Sequence, residues 1–196
     1  VTKLVDVQAA KGSASLVLTG GGVGIATLEQ LRRSPACDAV DWSNVDIYWG
    51  DERFVPAGDP ERNELQARQA LLDHVPVDPD RVHPMPASDG PYGDNPEAAA
   101  AAYADLLAEH AGRSHHRGVP VFDLLLLGMG GEGHTASIFP ESPAVYAVDS
   151  TVVAVRNCPK PPPTRISLTL PAIRRAAEVW VITAGESKAD AVALAL

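Results

Sequence analysis

Short apolar runs alternate along this chain with stretches whose apolar residues recur at helical spacing. The first run, residues 16–19, is bounded by glycines, and residues 25–33 follow it with helical periodicity across a glycine-rich turn. The pattern predicts a second strand over 45–49, ending abruptly at Gly50-Asp51-Glu52-Arg53. It predicts a helix over 61–72, with Asp59 as N-cap and Pro60 at the first helical position. Residues 75–96 hold six prolines among several Asp and Gly, so they read as a connector with one short strand near Val82. The Ala-rich stretch 96–110 reads as a helix and 112–118 as a polar turn. Residues 122–127 are continuously apolar, the pattern of a strand buried on both faces. Residues 148–155, 166–170 and 179–183 are further strand segments, separated by the proline-rich link 159–163. Pro171 opens a short helix, and 186–196 is helical.

Alternating strands and helices, with no internal repeat, predict an α/β fold: a three-layer, doubly wound, mostly parallel sheet with helices on both faces. Residues 1–196 read as a single domain. Ligands of such sheets bind beyond the carboxyl ends of the strands, so the loops just after strands are the informative ones.

Composition narrows the partners. A net charge of −9 and a pI near 5.0 argue against nucleic acid or an anionic membrane, which need clustered Lys and Arg. A small phosphate would need cations placed locally. Cys37 and Cys158 are far apart and lack metal spacing, which argues against a disulfide framework or zinc site and fits a reducing cytoplasm. No run approaches transmembrane length, and the first residues lack a signal-peptide pattern. The chain opens without Met on a helix and stops at Leu196 inside an uncapped Ala/Leu/Val run, so segments are expected to be missing at both ends.

Three strand-end loops and a basic tail are candidates for chemistry. In Thr19-Gly20-Gly21-Gly22-Val23-Gly24, glycines let backbone N–H groups approach an anion at a helix start. The same loop suits a plain tight turn; it lacks a Walker lysine and the third glycine of a dinucleotide fingerprint. Asp51-Glu52-Arg53 places two carboxylates beside an arginine after an apolar strand, or is an ordinary charged turn. Gly128-Met129-Gly130-Gly131-Glu132-Gly133-His134-Thr135-Ala136-Ser137 strips side chains from the end of the most buried strand. His134 then falls near an expected helix start, whose dipole would keep the ring neutral, with Glu132 close enough to orient it. Arg165, after the proline link, and Lys188 are either ligand cations or surface charge. His74, His83 and His110 have no partner at ligand spacing, and His115 and His116 lie in the polar turn.

The set TGGG, WGDERFVP, LGMGGEGHTASIFP, PPTRISLTLPAI and GESKA, in this order through almost the whole chain, resembles the 6-phosphogluconolactonase family. That family shares a fold group with glucosamine-6-phosphate deaminase, ribose-5-phosphate isomerase and CoA transferases. The resemblance implies a ribose-phosphate isomerase/CoA transferase-like fold and cofactor-free hydrolysis of 6-phospho-D-glucono-1,5-lactone to 6-phosphogluconate in the oxidative pentose phosphate pathway. It also implies a cytoplasmic monomer with no metal.

On this reading His134 is the general base, Glu132 orients it, and Arg53 with the N–H groups of Gly130 and Gly131 stabilises the oxyanion. Thr19, Gly20, Gly21, Asp51, Arg165 and Lys188 bind substrate. Deaminase relatives carry Tyr and Glu where this chain has Arg53 and Phe139, so the acid for sugar ring opening is absent. Many lactonases have Asp at the position of Glu132. Two rival readings are a sugar-phosphate deaminase or isomerase and a non-catalytic sugar-phosphate or dinucleotide-binding domain. A covalent route through Ser137 lacks a GxSxG elbow.

Overall fold

The computed structural model describes residues 1–111 and 118–195; the expected polar turn, with His115 and His116, lies outside them at 112–117. Helix α1 (Thr2–Lys11) ends where Gly12 takes a left-handed conformation, φ 82°, and its N–H donates to Gln8 O at 2.8 Å. Strand β1 (Ala14–Leu18) follows, then α2 (Gly21–Arg33), β2 (Val45–Trp49), β3 (Asp51–Arg53), α3 (Asn63–Ala70) and α4 (Pro96–Ala111). The remaining elements are β4 (Leu124–Gly128), β5 (Val152–Val155), β6 (Arg165–Leu168), α5 (Leu170–Ile173), β7 (Val179–Ile182) and α6 (Ala189–Ala195).

Four strands form a parallel sheet in the order β2-β1-β4-β7. Alternate side chains divide it into two faces. Leu16, Leu18, Leu124 and Leu126 pack with Leu4, Leu28, Trp42 and Leu71, beneath α1, α2 and α3. Val17, Leu125 and Leu127 pack with Tyr103 of α4 and with Ile166 and Leu168 of β6. Truncating a buried leucine of this kind costs about 2–5 kcal/mol.

The second face is covered by more than the expected helices. Strands β3, β6 and β5 form a separate three-stranded antiparallel sheet that packs there with α4. Gly50 joins the two sheets: its N–H donates to Leu18 O at 3.0 Å, and its carbonyl accepts from Leu168 N at 2.9 Å. Asp51-Glu52-Arg53 is therefore a strand, not a loop. The chain turns one way from β1 to β2 and the other way from β1 to β4, so a topological switch point opens between the carboxyl ends of β1 and β4.

Helix α3 starts at Asn63, later than expected. Asp59 caps only a preceding turn, accepting from Glu61 N at 2.8 Å. The helix is capped from a distance by Glu52, whose carboxylate accepts from Asn63 N at 2.7 Å and Glu64 N at 2.8 Å. The strand expected near Val82 is a single bridge to Ile47.

Candidate active site

A cleft of about 260 Å³ occupies the switch point. One wall is the start of α2. The glycine run expected as a loop folds into the first helical turn from Gly21, where φ is 78°. A side chain at Gly20 would meet Asn63 Oδ1 at 1.8 Å, and one at Gly24 would meet Thr19 O at 2.6 Å. Close packing thus demands glycine at both positions. The result is a helix N-terminus with no acidic residue in its first turn, open to the cleft and suited to an anion. Thr19 Oγ1 accepts from Gly128 N at 3.2 Å and ties the ends of β1 and β4 together.

The opposite wall is β3 and β6. Strand alternation resolves the charged triplet: Asp51 and Arg53 line the cleft, while Glu52 points away and is 1% exposed. Burial pushes the Glu52 carboxyl up to about 7, against Arg62 and the three N–H groups of Arg53, Asn63 and Glu64, which favour its charge. Asp51 is buried and accepts a 2.6 Å hydrogen bond from Ser137 Oγ. That contact uses the serine to hold a carboxylate.

Arg53 and Arg165 are directly opposed across the β3–β6 ladder. Like charges so placed repel, and each guanidinium is fixed by carbonyls instead of an acid. Arg53 Nη1 donates to Glu61 O at 2.6 Å. Arg165 donates to Pro162 O at 3.1 Å, Lys160 O at 3.0 Å and Pro161 O at 3.3 Å. Charge left uncompensated beside a helix N-terminus suits a phosphate.

His134 stands on the third wall, and no helix follows it. Thr135 and Ile138 are bridged in a tight turn, so the expected dipole effect is absent. The imidazole instead stacks on Phe139, with ring centroids 4.3 Å apart and planes at 26°. Burial lowers the His134 pKa below the usual 6.5; Glu132 opposes the shift and Lys160 adds to it.

Glu132 Oε1 lies 3.2 Å from His134 Nδ1 without forming a well-aligned hydrogen bond. Burial works to raise the Glu132 carboxyl, but the Lys160 hydrogen bond and the charges around it prevail and hold it at about 2. A side chain at Gly130 would strike His134 Nδ1 at 2.0 Å, which explains the glycine. The Gly130 N–H donates to His134 O at 2.8 Å, so it is committed to the loop and not free for an oxyanion. Gly131 is exposed and packs toward Ser187 O, 3.1 Å from where a Cβ would sit.

Thr19, Gly20, Gly21, Asp51, Arg53, Gly130, His134, Arg165 and Lys188 therefore meet in one cleft. Glu132 touches it through His134 and Lys160, and Gly131 lies outside its lining. Lys188 ends a 3₁₀ turn just before α6.

Sequence reasoning missed Lys160 and Asn63. A cation amid the prolines 159–163 was a usable signal for the first; nothing local marked the second. Four cations and one carboxylate line the cleft, Arg53, Lys160, Arg165 and Lys188 against Asp51, which supplies the local positive charge a phosphate needs in an acidic protein. His83 and His110 instead cluster with Tyr48, in tilted and edge-on ring contacts beside Asp46, away from the cleft lining. Among the described residues no His/Cys/Asp/Glu group is arranged to hold a metal, and no helix is long and apolar enough to cross a membrane.

The profile of the family described as glucosamine-6-phosphate isomerases/6-phosphogluconolactonase matches residues 1–196. A 6-phosphogluconolactonase from Streptomyces coelicolor is 62% identical over 196 residues, covering 100% of this chain and 75% of that protein. The solved 6-phosphogluconolactonase of Trypanosoma brucei aligns with a TM-score of 0.80 at 29% identity, over 97% of this chain and 77% of its own. A monomeric glucosamine-6-phosphate deaminase aligns with a TM-score of 0.76 at 22% identity, over 97% of this chain and 78% of its own; this likeness concerns the fold alone.

Proposed function

The chain belongs to the glucosamine-6-phosphate isomerase/6-phosphogluconolactonase family, and we propose that it hydrolyses 6-phospho-D-glucono-1,5-lactone to 6-phosphogluconate. One observation carries the reading: the neutral His134 ring, stacked on Phe139, faces a cation-lined cleft at the first turn of α2. A deaminase would need an acid where Phe139 stands.

The substrate's phosphate lies against Gly20, Gly21, Arg165 and Lys188, which fixes C1 beside His134. Glu132 lies on the buried Nδ1 side, where its charge favours a proton on Nδ1 and leaves Nε2 as the working base. Nε2 takes a proton from water as the water oxygen bonds to C1. The lactone carbonyl becomes an oxyanion, held by Arg53, and the imidazolium is stabilised by Glu132. Collapse breaks the C1–ring oxygen bond, and the imidazolium returns its proton to that oxygen. The product is the open-chain acid. Asp51, held by Ser137, accepts hydrogen bonds from sugar hydroxyls.

General-base help of this kind contributes about 10²–10⁴-fold. The kinetic split assigns Arg53: a fall in kcat in Arg53→Ala places it at the carbonyl, and a rise in KM places it at the phosphate. The family resemblance supports a monomeric working unit acting in the cytoplasm. The test is lactone hydrolysis, corrected for spontaneous opening, in wild type and His134→Ala.

A further inference from the structure

The proline link 159–163 reaches the site through a residue that no motif contains. The Lys160 carbonyl is anchored by Arg165 Nη2 at 3.0 Å, and its side chain crosses to Glu132. Lys160 Nζ lies 2.9 Å from each Glu132 oxygen, whereas His134 Nδ1 lies 3.2 Å from Oε1 alone and has no aligned partner. The carboxylate is thus shared, and the lysine has the better geometry.

This sharing matters for a general base. A carboxylate beside an imidazole raises its proton affinity and would leave it protonated, unable to accept a proton from water. A cation on the same carboxylate weakens that pull. We propose that Lys160 is a positioning residue of the hydrolytic site, drawing the Glu132 carboxylate off His134 Nδ1 and so adding to burial in keeping the imidazole a free base until catalysis. The inference rests on the lactonase reading. Once His134 takes a proton, Glu132 is still close enough to stabilise the imidazolium, so the carboxylate serves the intermediate more than the resting state.

The groups facing His134 agree with this arrangement. Glu132 comes from its own loop, Asp51 from β3 and Lys160 from the link, while Phe139 supplies only its ring; Arg53, Arg165 and Lys188 complete the charged lining. The Lys160 and Glu132 side chains are 48% and 36% exposed, and pairs of that exposure contribute about 0–1 kcal/mol to folding. Removing the lysine therefore leaves a folded protein.

The test follows the acid limb of kcat/KM against pH in wild type, Lys160→Met and Lys160→Arg, together with an NMR titration of His134 in the substrate-free protein. With the lysine gone, the protonated ring is favoured. The acid limb and the His134 titration should both move to higher pH in Lys160→Met, with a severalfold loss of kcat/KM on the acid side. Lys160→Arg should restore both. In a Glu132→Gln background, Lys160→Met should move the titration much less. An unmoved titration in Lys160→Met would overturn the proposal, as would a rise in KM alone, which would make Lys160 a simple substrate contact. The NMR arm needs no turnover: absent lactone hydrolysis with a shifted titration would reject the lactonase reading while keeping the Lys160–Glu132–His134 coupling.

Discussion

The two sheets build the cleft in different ways. The parallel sheet contributes mainly backbone: β1 is followed by Thr19 and a glycine run and β4 ends in Gly128, so a helix N-terminus and a glycine-rich loop carrying His134 face the cleft. The small antiparallel sheet contributes side chains, with Asp51 and Arg53 from β3 and Arg165 from β6. Strands buried on both faces have little room for charge, whereas a short sheet at the rim can turn alternate residues outward. The larger sheet sets the place, and the smaller one supplies two of the four cations that line it.

Breaking the chemistry between them should give the largest effect. His134→Gln removes the proposed base without emptying the cleft, and kcat should fall by about 10²–10⁴-fold with little change in KM. In the unaltered protein kcat/KM should fall as pH drops, because protonated His134 cannot accept a proton. The lowered pKa places that loss below the usual histidine value of 6.5. A pH profile centred above it would contradict the buried, Phe139-stacked ring.

Next comes the antiparallel sheet. Arg165→Met removes a charged donor of a kind worth about 1.5–3 kcal/mol, so KM should rise by about one to two orders of magnitude while kcat falls less. A loss confined to kcat would move Arg165 from the phosphate to the carbonyl. Arg165→Lys should recover only part, because an ammonium lacks the planar fork that reaches Pro162 O from Nε and Lys160 O and Pro161 O from Nη2.

Smaller effects test how the sheets are joined. Glu52→Gln puts an amide where three backbone N–H groups need acceptors, which should destabilise the fold by about 1–3 kcal/mol in denaturant melts. Gly20→Ala drives a methyl into Asn63 and should cost about 1–3 kcal/mol. Gly22→Ala meets nothing within 4 Å and should leave stability unchanged or slightly raised. Equal losses at the two glycines would sink the packing argument for Gly20.

What could be read from sequence followed the same division. β2 and the core of β4 were legible because apolar residues dominate both, broken only by Asp46 in β2, and the resemblance marked His134, Arg53 and Arg165 through their motifs. The resemblance named Asp51 and not Glu52, but the residues alone did not separate them, since only the pairing of β3 with β6 decides which carboxylate faces the cleft. The start of α3 was misplaced because its cap is Glu52, eleven residues before Asn63. The helix expected after His134 is a turn, so the reason for a neutral ring changes from a dipole to burial against Phe139. Lys160 was signalled only by its place amid the prolines 159–163, and Asn63 depends on a long-range contact that no local pattern carries.

The most direct test is the initial rate of 6-phosphogluconolactone hydrolysis above the spontaneous background, for wild type and His134→Ala at one pH. Wild type should exceed the background and the variant should retain substrate affinity while losing about 10²–10⁴-fold in kcat. Wild-type turnover at the spontaneous rate, or a variant as fast as wild type, would contradict hydrolysis by His134.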